Sequence, residues 1–172
     1  MASEDLNALY NEARAFAEYM LLTHGEFIPF GVTMAPDRKI AQVAGDLGTE
    51  HPGSKDMVAL LQASLCQSAK LGDLRAADIC MDMRIVPPGQ QHKTDAMCTC
   101  LAHVSGEAFE VFVPYARNER GEFQFGQSFT IAGDEFRLAG LGTSQTPDYE
   151  GAIGDWSEGR CGQHDPKTSS GQ

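Results

Sequence analysis

Cys98 and Cys100 are separated by one residue, in the run Met97-Cys98-Thr99-Cys100-Leu101. On a strand such a pair points the same way, so both thiols could serve one centre. A structural zinc site takes four ligands. Cys80 is the next sulfur on a neighbouring strand, but its row also holds Asp78, Asp82 and Arg84. Matching the apolar rows sets Cys98 and Cys100 beside Met81 and Met83 and turns Cys80 to the other face. Free cysteine packs as a small hydrophobe, so Cys98 and Cys100 are expected to face the helices, reduced and without metal. No CxxC pair and no HExxH spacing occurs, and His24, His51, His92 and His103 are scattered. No metal and no cofactor are expected.

The ionisable candidates are Glu26, Asp78, Asp82, Arg84 and His103. Asp78, Asp82 and Arg84 alternate with apolar residues and share one strand face, where Asp82 and Arg84 would form an exposed ion pair or touch a ligand. Across the sheet, His103 would come near Asp78, an acid–base pair in type. Neither a nucleophile nor an oxyanion donor can be placed beside them, so no catalytic residue is assigned. Glu26 precedes Phe27, Ile28 and Pro29. A carboxylate among apolar side chains can acquire a raised pKa and act as a base, although such a residue more often caps or salt-bridges a strand end.

These residues need a frame. Leu6, Leu9, Tyr10, Ala13, Phe16, Ala17, Met20 and Leu21 recur at steps of three and four and predict a helix over 4–23, with Gly25 as its stop. Residues 26–45 read as a hairpin turning at Ala35-Pro36-Asp37-Arg38, which sets Met34 opposite Lys39 and Val32 opposite Ala41. Ser54 caps a second helix with Met57, Val58, Leu61, Leu65 and Ala69 inward. From 75 to 131 a meander follows. Ser105-Gly106 as a two-residue turn pairs Ala102 with Phe109, Cys100 with Val111 and Cys98 with Val113. A looser loop over 117–121 then sets Tyr115 against Phe123, and Phe109 would meet Phe129. In this register the face away from the helices carries Met97, Thr99, Leu101, Phe112 and Pro114. Asp78, Asp82, Arg84, Glu110 and Glu122 rim that face, which has the make-up of an interaction surface. Residues 1–141 form one domain, and 142–172, rich in Gly, Ser and Asp, are expected to be a mostly mobile tail.

Composition narrows the function. The chain has 172 residues, 42% apolar and 22% charged, which suits one globular domain. A formal net charge of −11 argues against bare nucleic acid, which needs clustered Lys and Arg, and permits a basic protein partner. No apolar run approaches the ~20 residues that cross a bilayer. The acidic start, Met1-Ala2-Ser3-Glu4-Asp5, is unlike a signal peptide. The expected location is the cytoplasm, where the five cysteines stay reduced.

The stretch Gly25-Glu26-Phe27-Ile28-Pro29-Phe30-Gly31 followed by Pro36-Asp37 resembles a group of small bacterial proteins. They share a helix followed by a Gly-Glu-Phe-x-Pro-Phe-Gly hairpin. Lys93-Thr94-Asp95-Ala96 and Val113-Pro114-Tyr115 are similar too, so the resemblance covers roughly residues 5–130. It implies no activity. The group favours Asp-Gly in the first turn; here Arg38 stands where glycine would go.

The expected architecture is α+β: about six antiparallel strands in the order α-β-β-α-β-β-β-β, with the helices on one face. By topology alone this is similar to profilin-like and roadblock-like folds, an analogy that carries no function. The expected function is a non-catalytic module that binds a protein partner or a second copy of itself as a homodimer, through the open sheet face or a sheet edge. Two alternatives stand beside it: a small-molecule binder or enzyme using a cleft near Glu26, and an acidic inhibitor of a basic protein.

Overall fold

The computed structural model describes residues 2–49, 52–133, 136 and 138. It is an α+β fold built on an antiparallel sheet. Helix α1 spans Ala2–His24, followed by β1 (Phe30–Met34), β2 (Ile40–Ala44) and α2 (Ser54–Lys70). Then come β3 (Ala76–Ile85), β4 (Thr94–His103), β5 (Ala108–Arg117), β6 (Phe123–Phe125) and β7 (Phe129–Ala132). The strand order is β2-β1-β3-β4-β5-β6, with β7 also pairing with β5.

The helices lie on opposite faces of the sheet, which corrects the expectation that both cover one face. The buried line Leu6, Leu9, Ala13, Ala17 and Leu21 of α1 packs on Phe30, Val32, Met34, Cys80, Met97, Leu101, Val113 and Tyr115. Met57, Val58, Leu61 and Leu65 of α2 pack on Ile79, Met81, Ile85, Cys98, Cys100 and Phe112. Phe136 and Leu138 join this second core. Strands β3 and β4 are therefore covered on both sides, and eight of the ten β4 positions are buried. The α2-facing row of β3, Ala77, Ile79, Met81, Met83 and Ile85, is wholly apolar, whereas its α1-facing row sets Asp78, Asp82 and Arg84 among Ala76 and Cys80.

One turn explains where the expected registers slipped. In the β1–β2 hairpin the Arg38 N–H donates to Ala35 O and the Ala35 N–H donates to Lys39 O, with Arg38 at φ 69°. In β4–β5 the Gly106 N–H donates to His103 O and the His103 N–H to Glu107 O, with Gly106 at φ 97°. In β5–β6 the Gly121 N–H donates to Asn118 O and the Asn118 N–H to Glu122 O, with Gly121 at φ 79°. All three are three-residue loops, a type I turn closed by a left-handed third residue. Glycine takes that conformation freely, whereas for Arg38 it costs about 1–2 kcal/mol.

A three-residue loop in place of an even-length turn slips the pairing by one and turns every side chain of the following strand over. Met34 faces Ile40 and Val32 faces Gln42, rather than Lys39 and Ala41. Cys98 faces Phe112 and Met97 faces Val113, rather than Cys98 facing Val113. Phe129 lies opposite Phe112, not Phe109, and the two rings stack 5.1 Å apart. Tyr115 pairs with Phe125 instead of Phe123, a shift of two that keeps its face.

The patch expected opposite the helices is consequently divided. Met97 and Leu101 lie in the α1 core, and Phe112 lies in the α2 core at 1% exposure. Half-buried Pro114 shares the Phe112 face. The expected tail, 142–172, falls outside the described residues. Phe112→Ala should lower stability by about 3–5 kcal/mol, the loss typical of a buried phenylalanine. Denaturant unfolding checks this, and a loss under ~1 kcal/mol would place the ring at a surface.

Candidate functional site

Asp78, Asp82 and Arg84 of β3 share a face with Asp95, Thr99 and His103 of β4 and with Tyr115 of β5. That face lies beneath α1. The expectation of a solvent-facing row is corrected, because Asp78 has no exposure at all.

Three polar groupings follow. The first centres on Asp5, in the first turn of α1 and 2% exposed. Arg38 donates to its Oδ1 through Nη2 at 2.7 Å and Nε at 3.0 Å, and Arg75 donates to its Oδ2 through Nε. Burial opposes ionisation of Asp5, but the hydrogen bonds from Arg75 and Arg38 and the two positive charges outweigh it, and the carboxyl lies below its ordinary value. His103 Nε2 stands 3.5 Å from Asp5 Oδ2. The Ser105 N–H donates to His103 Nδ1 at 3.0 Å, and the Ser105 hydroxyl lies 2.7 Å from the same nitrogen. Nδ1 thus accepts from the Ser105 amide, and Nε2 is the ring nitrogen that faces Asp5. His103 belongs to this grouping and not to an acid–base pair with Asp78. Asp78 lies diagonally from it, with Leu101 opposite Asp78 and Ala76 opposite His103.

The second grouping is Asp78 itself. Neither carboxylate oxygen has a hydrogen-bond partner among the described residues. Burial pushes its pKa well above the ordinary value, and the nearby Ile79 amide offsets only part of this. Cys80, next on the same row, is raised as well, by burial first and then by Asp78.

The third grouping lies toward the other end of α1. The Tyr115 hydroxyl donates to Asp82 Oδ1 at 2.8 Å. Burial raises Asp82 to about 6, with the Tyr115 hydrogen bond acting against it and Asp95 and Glu26 adding repulsion. Arg84 Nε lies 3.4 Å from Asp95 Oδ1, the cross-strand neighbour of Arg84. Arg84 thus has Asp95 as a cross-strand ion-pair partner. Glu26 is exposed at the end of the α1 connection and joins this grouping only through its charge.

Cys98 and Cys100 face α2, with their sulfurs 3.8 Å apart. The Cys100 sulfur, through its hydrogen bond, and burial both push the Cys98 thiol up, which disfavours the reactive thiolate. Among the described residues no three His, Cys, Asp or Glu side chains are grouped so as to hold a metal ion.

The remaining feature is backbone. Strand β2 is a sheet edge, and its five residues, Ile40-Ala41-Gln42-Val43-Ala44, carry no charge. All but half-buried Val43 are exposed. The Ala35–Lys39 bond fixes which groups are free. Hydrogen-bonded and non-bonded pairs alternate, so Thr33–Ala41 and Gly31–Val43 are the bonded pairs. Ile40, Gln42 and Ala44 therefore turn their N–H and C=O groups to the open edge. The opposite edge is made of two short strands, three and four residues long, which offer much less.

Sequence reasoning missed Asp5, Arg38, Arg75, Tyr115 and the β2 edge. Asp5 falls at four-residue steps from Leu9, Ala13, Ala17 and Leu21, so its burial was visible in the spacing. The Tyr115–Asp82 bond needed the correct β4–β5 register. No family model matches the chain, and no curated protein or solved structure matches it either.

Two pH predictions follow. Burial raises the Asp78 pKa in the folded chain, while the unfolded chain ionises it near pH 4, so it lowers stability progressively as pH rises above ~4. Asp78→Asn should be more stable than the natural chain at neutral pH and lose that advantage below pH ~4, as read from thermal unfolding across pH. An advantage independent of pH would show that Asp78 is solvated. Asp82 acts in the same direction, from the unfolded value near 4 up to about 6. Tyr115→Phe removes the donor that favours the carboxylate, so the Asp82 carboxyl followed by NMR titration should ionise above about 6. An unchanged or lower midpoint would show that the hydroxyl does not control Asp82.

Proposed function

We propose that this chain is a non-catalytic polypeptide-binding module that takes its partner by strand addition at β2. The observation that carries the reading is an edge with no strand beyond it among the described residues: five uncharged, mostly exposed residues presenting three outward pairs of backbone donors and acceptors. Both faces of the central strands are covered by this chain's own helices, so sheet growth at an edge is the open route. The ionisable groups support the non-catalytic part. Asp5 is committed to two arginines, Asp78 is fully buried with its pKa pushed up, and the Cys98 thiol is buried and pushed up as well. Among the described residues no helix is long and apolar enough to cross a membrane.

A second reading, a small-molecule binder, is favoured by a groove of about 730 Å³ between the end of α1 and the β5–β6 hairpin. Leu21, His24, Gly25, Arg117 and Phe123 line it. The Arg117 guanidinium sits 4.4 Å over the Phe123 ring and donates to Gly25 O at 3.2 Å. These contacts occupy the groove's one arginine, which leaves the edge as the stronger site.

Gln42→Pro removes an outward N–H that the β1 ladder does not use, so the fold should survive. Affinity capture from the native cells, with the natural chain and Gln42→Pro side by side, should show partner capture lost in the variant. Equal capture by both would overturn strand addition.

A further inference from the structure

We infer that the occupant of the β2 edge is a second copy of the same chain, paired antiparallel about a two-fold axis at Gln42. The inference rests on the strand-addition reading. In a two-fold pair of identical antiparallel strands, outward-facing residues must meet outward-facing residues. The outward set is Ile40, Gln42 and Ala44, as the β1–β2 ladder requires. Setting Gln42 opposite its copy pairs Ile40 with the second Ala44 and Ala44 with the second Ile40. All three outward residues are then used, giving about six backbone hydrogen bonds.

Side chains agree with that register. Ile40 meets Ala44 and Ala41 meets Val43, so each flanking pair sets a large side chain against a small one. Charge agrees as well. The whole chain has 24 acidic and 13 basic residues, and two copies repel over most of their surface. The run from Arg38 to Gly45 holds no carboxylate, has Arg38 and Lys39 at one end and is followed by Asp46 at the other. Antiparallel alignment about Gln42 sets Lys39 beside the second Gly45 and Arg38 beside the second Asp46. Arg38 and Lys39 keep their own pairs with Asp5 and Asp37, so these ends meet the second Asp46 as balanced rather than bare charge, and each Glu12 carboxylate beside the axis is held by its own Gln42 amide.

The test is light scattering of the full chain after size exclusion, up to the solubility limit. The natural chain should run as a dimer. Gln42→Pro, which loses the outward N–H, and Gln42→Lys, which sets two ammonium groups face to face, should run as monomers with unchanged circular dichroism. In a Cys66→Ser, Cys161→Ser background, Gln42→Cys should give a disulfide-linked dimer on mild oxidation, and Lys55→Cys on α2 should not. If Gln42→Pro unfolds, Gln42→Lys and the cross-link decide. A natural chain that stays monomeric overturns the second copy, while Gln42→Pro-sensitive capture of another protein would leave strand addition standing. A dimer that persists in Gln42→Lys, with no cross-link at position 42, overturns both.

Discussion

Strand β3 has α1 on one face and α2 on the other, and β4 lies under α1 with its second face in the core that α2 forms with Phe112, Phe136 and Leu138, so most side chains there are buried whichever way they point. Each polar group in these strands must find its partner inside the protein or give up its charge. The three groupings under α1 are three answers to that constraint. His103 receives the Ser105 N–H on one ring nitrogen and turns the other toward Asp5. Asp82 takes the Tyr115 hydroxyl and stays partly ionisable. Neither oxygen of Asp78 has a hydrogen-bond partner among the described residues, and burial pushes its pKa well above the ordinary value. Docking of α1 is therefore a balance. The Asp5 carboxylate, held by Arg38 and Arg75, ties the helix to the first hairpin and to the start of β3, while Asp78 opposes ionised conditions beneath the same helix.

The left-handed Arg38 belongs to this balance. Its backbone conformation is unfavourable for any residue with a Cβ, and glycine at that position would remove the cost. What arginine contributes instead is a bidentate grip on Asp5 from the hairpin turn. A glycine could close the same turn but could not hold the helix. The hairpin and α1 are linked again by Gln42, whose side-chain amide donates to Glu12 at 3.0 Å. The edge hairpin is thus braced from the helix at its turn and at the middle of β2.

Much of this was legible from the residues alone. The spacing in 4–23 and 54–71 located both helices to within a few residues, and alternation from Ala77 to Ile85 located β3. The α+β class followed. The registers did not, because β4 and β5 carry apolar residues on both rows, Met97 and Leu101 against Cys98 and Cys100 in β4 and Phe112 against Val111 and Val113 in β5, so either register buries an apolar face. Only the turn length decides, and Ser105-Gly106 fits a two-residue turn as readily as the end of a three-residue one. The error at the turns then propagated to the site. It moved Phe112 from the α2 core to a surface and separated Tyr115 from Asp82. The placement of the helices failed for a related reason. A sheet with two apolar faces needs two covers, and Met97 and Leu101 on one row of β4 with Cys98 and Cys100 on the other already called for cover on both sides.

Closing both faces directs association to the edges. The β6–β7 side is broken at residues 126–128, where the Gly126 N–H bonds back to Pro114 O and the pairing with β5 shifts by one. Such an offset twists an edge and shortens the ladder available to a newcomer. Strand β2 has no bulge in its pairing with β1, no proline and no charge. Those are the usual devices that stop one sheet from adding to another, and their absence from this strand leaves its outward donors and acceptors without a strand partner among the described residues. Because Arg38 and Gln42 also brace the strand to α1, a partner added at β2 would meet a pre-ordered backbone. Less conformational entropy would then be lost on pairing than with a free strand.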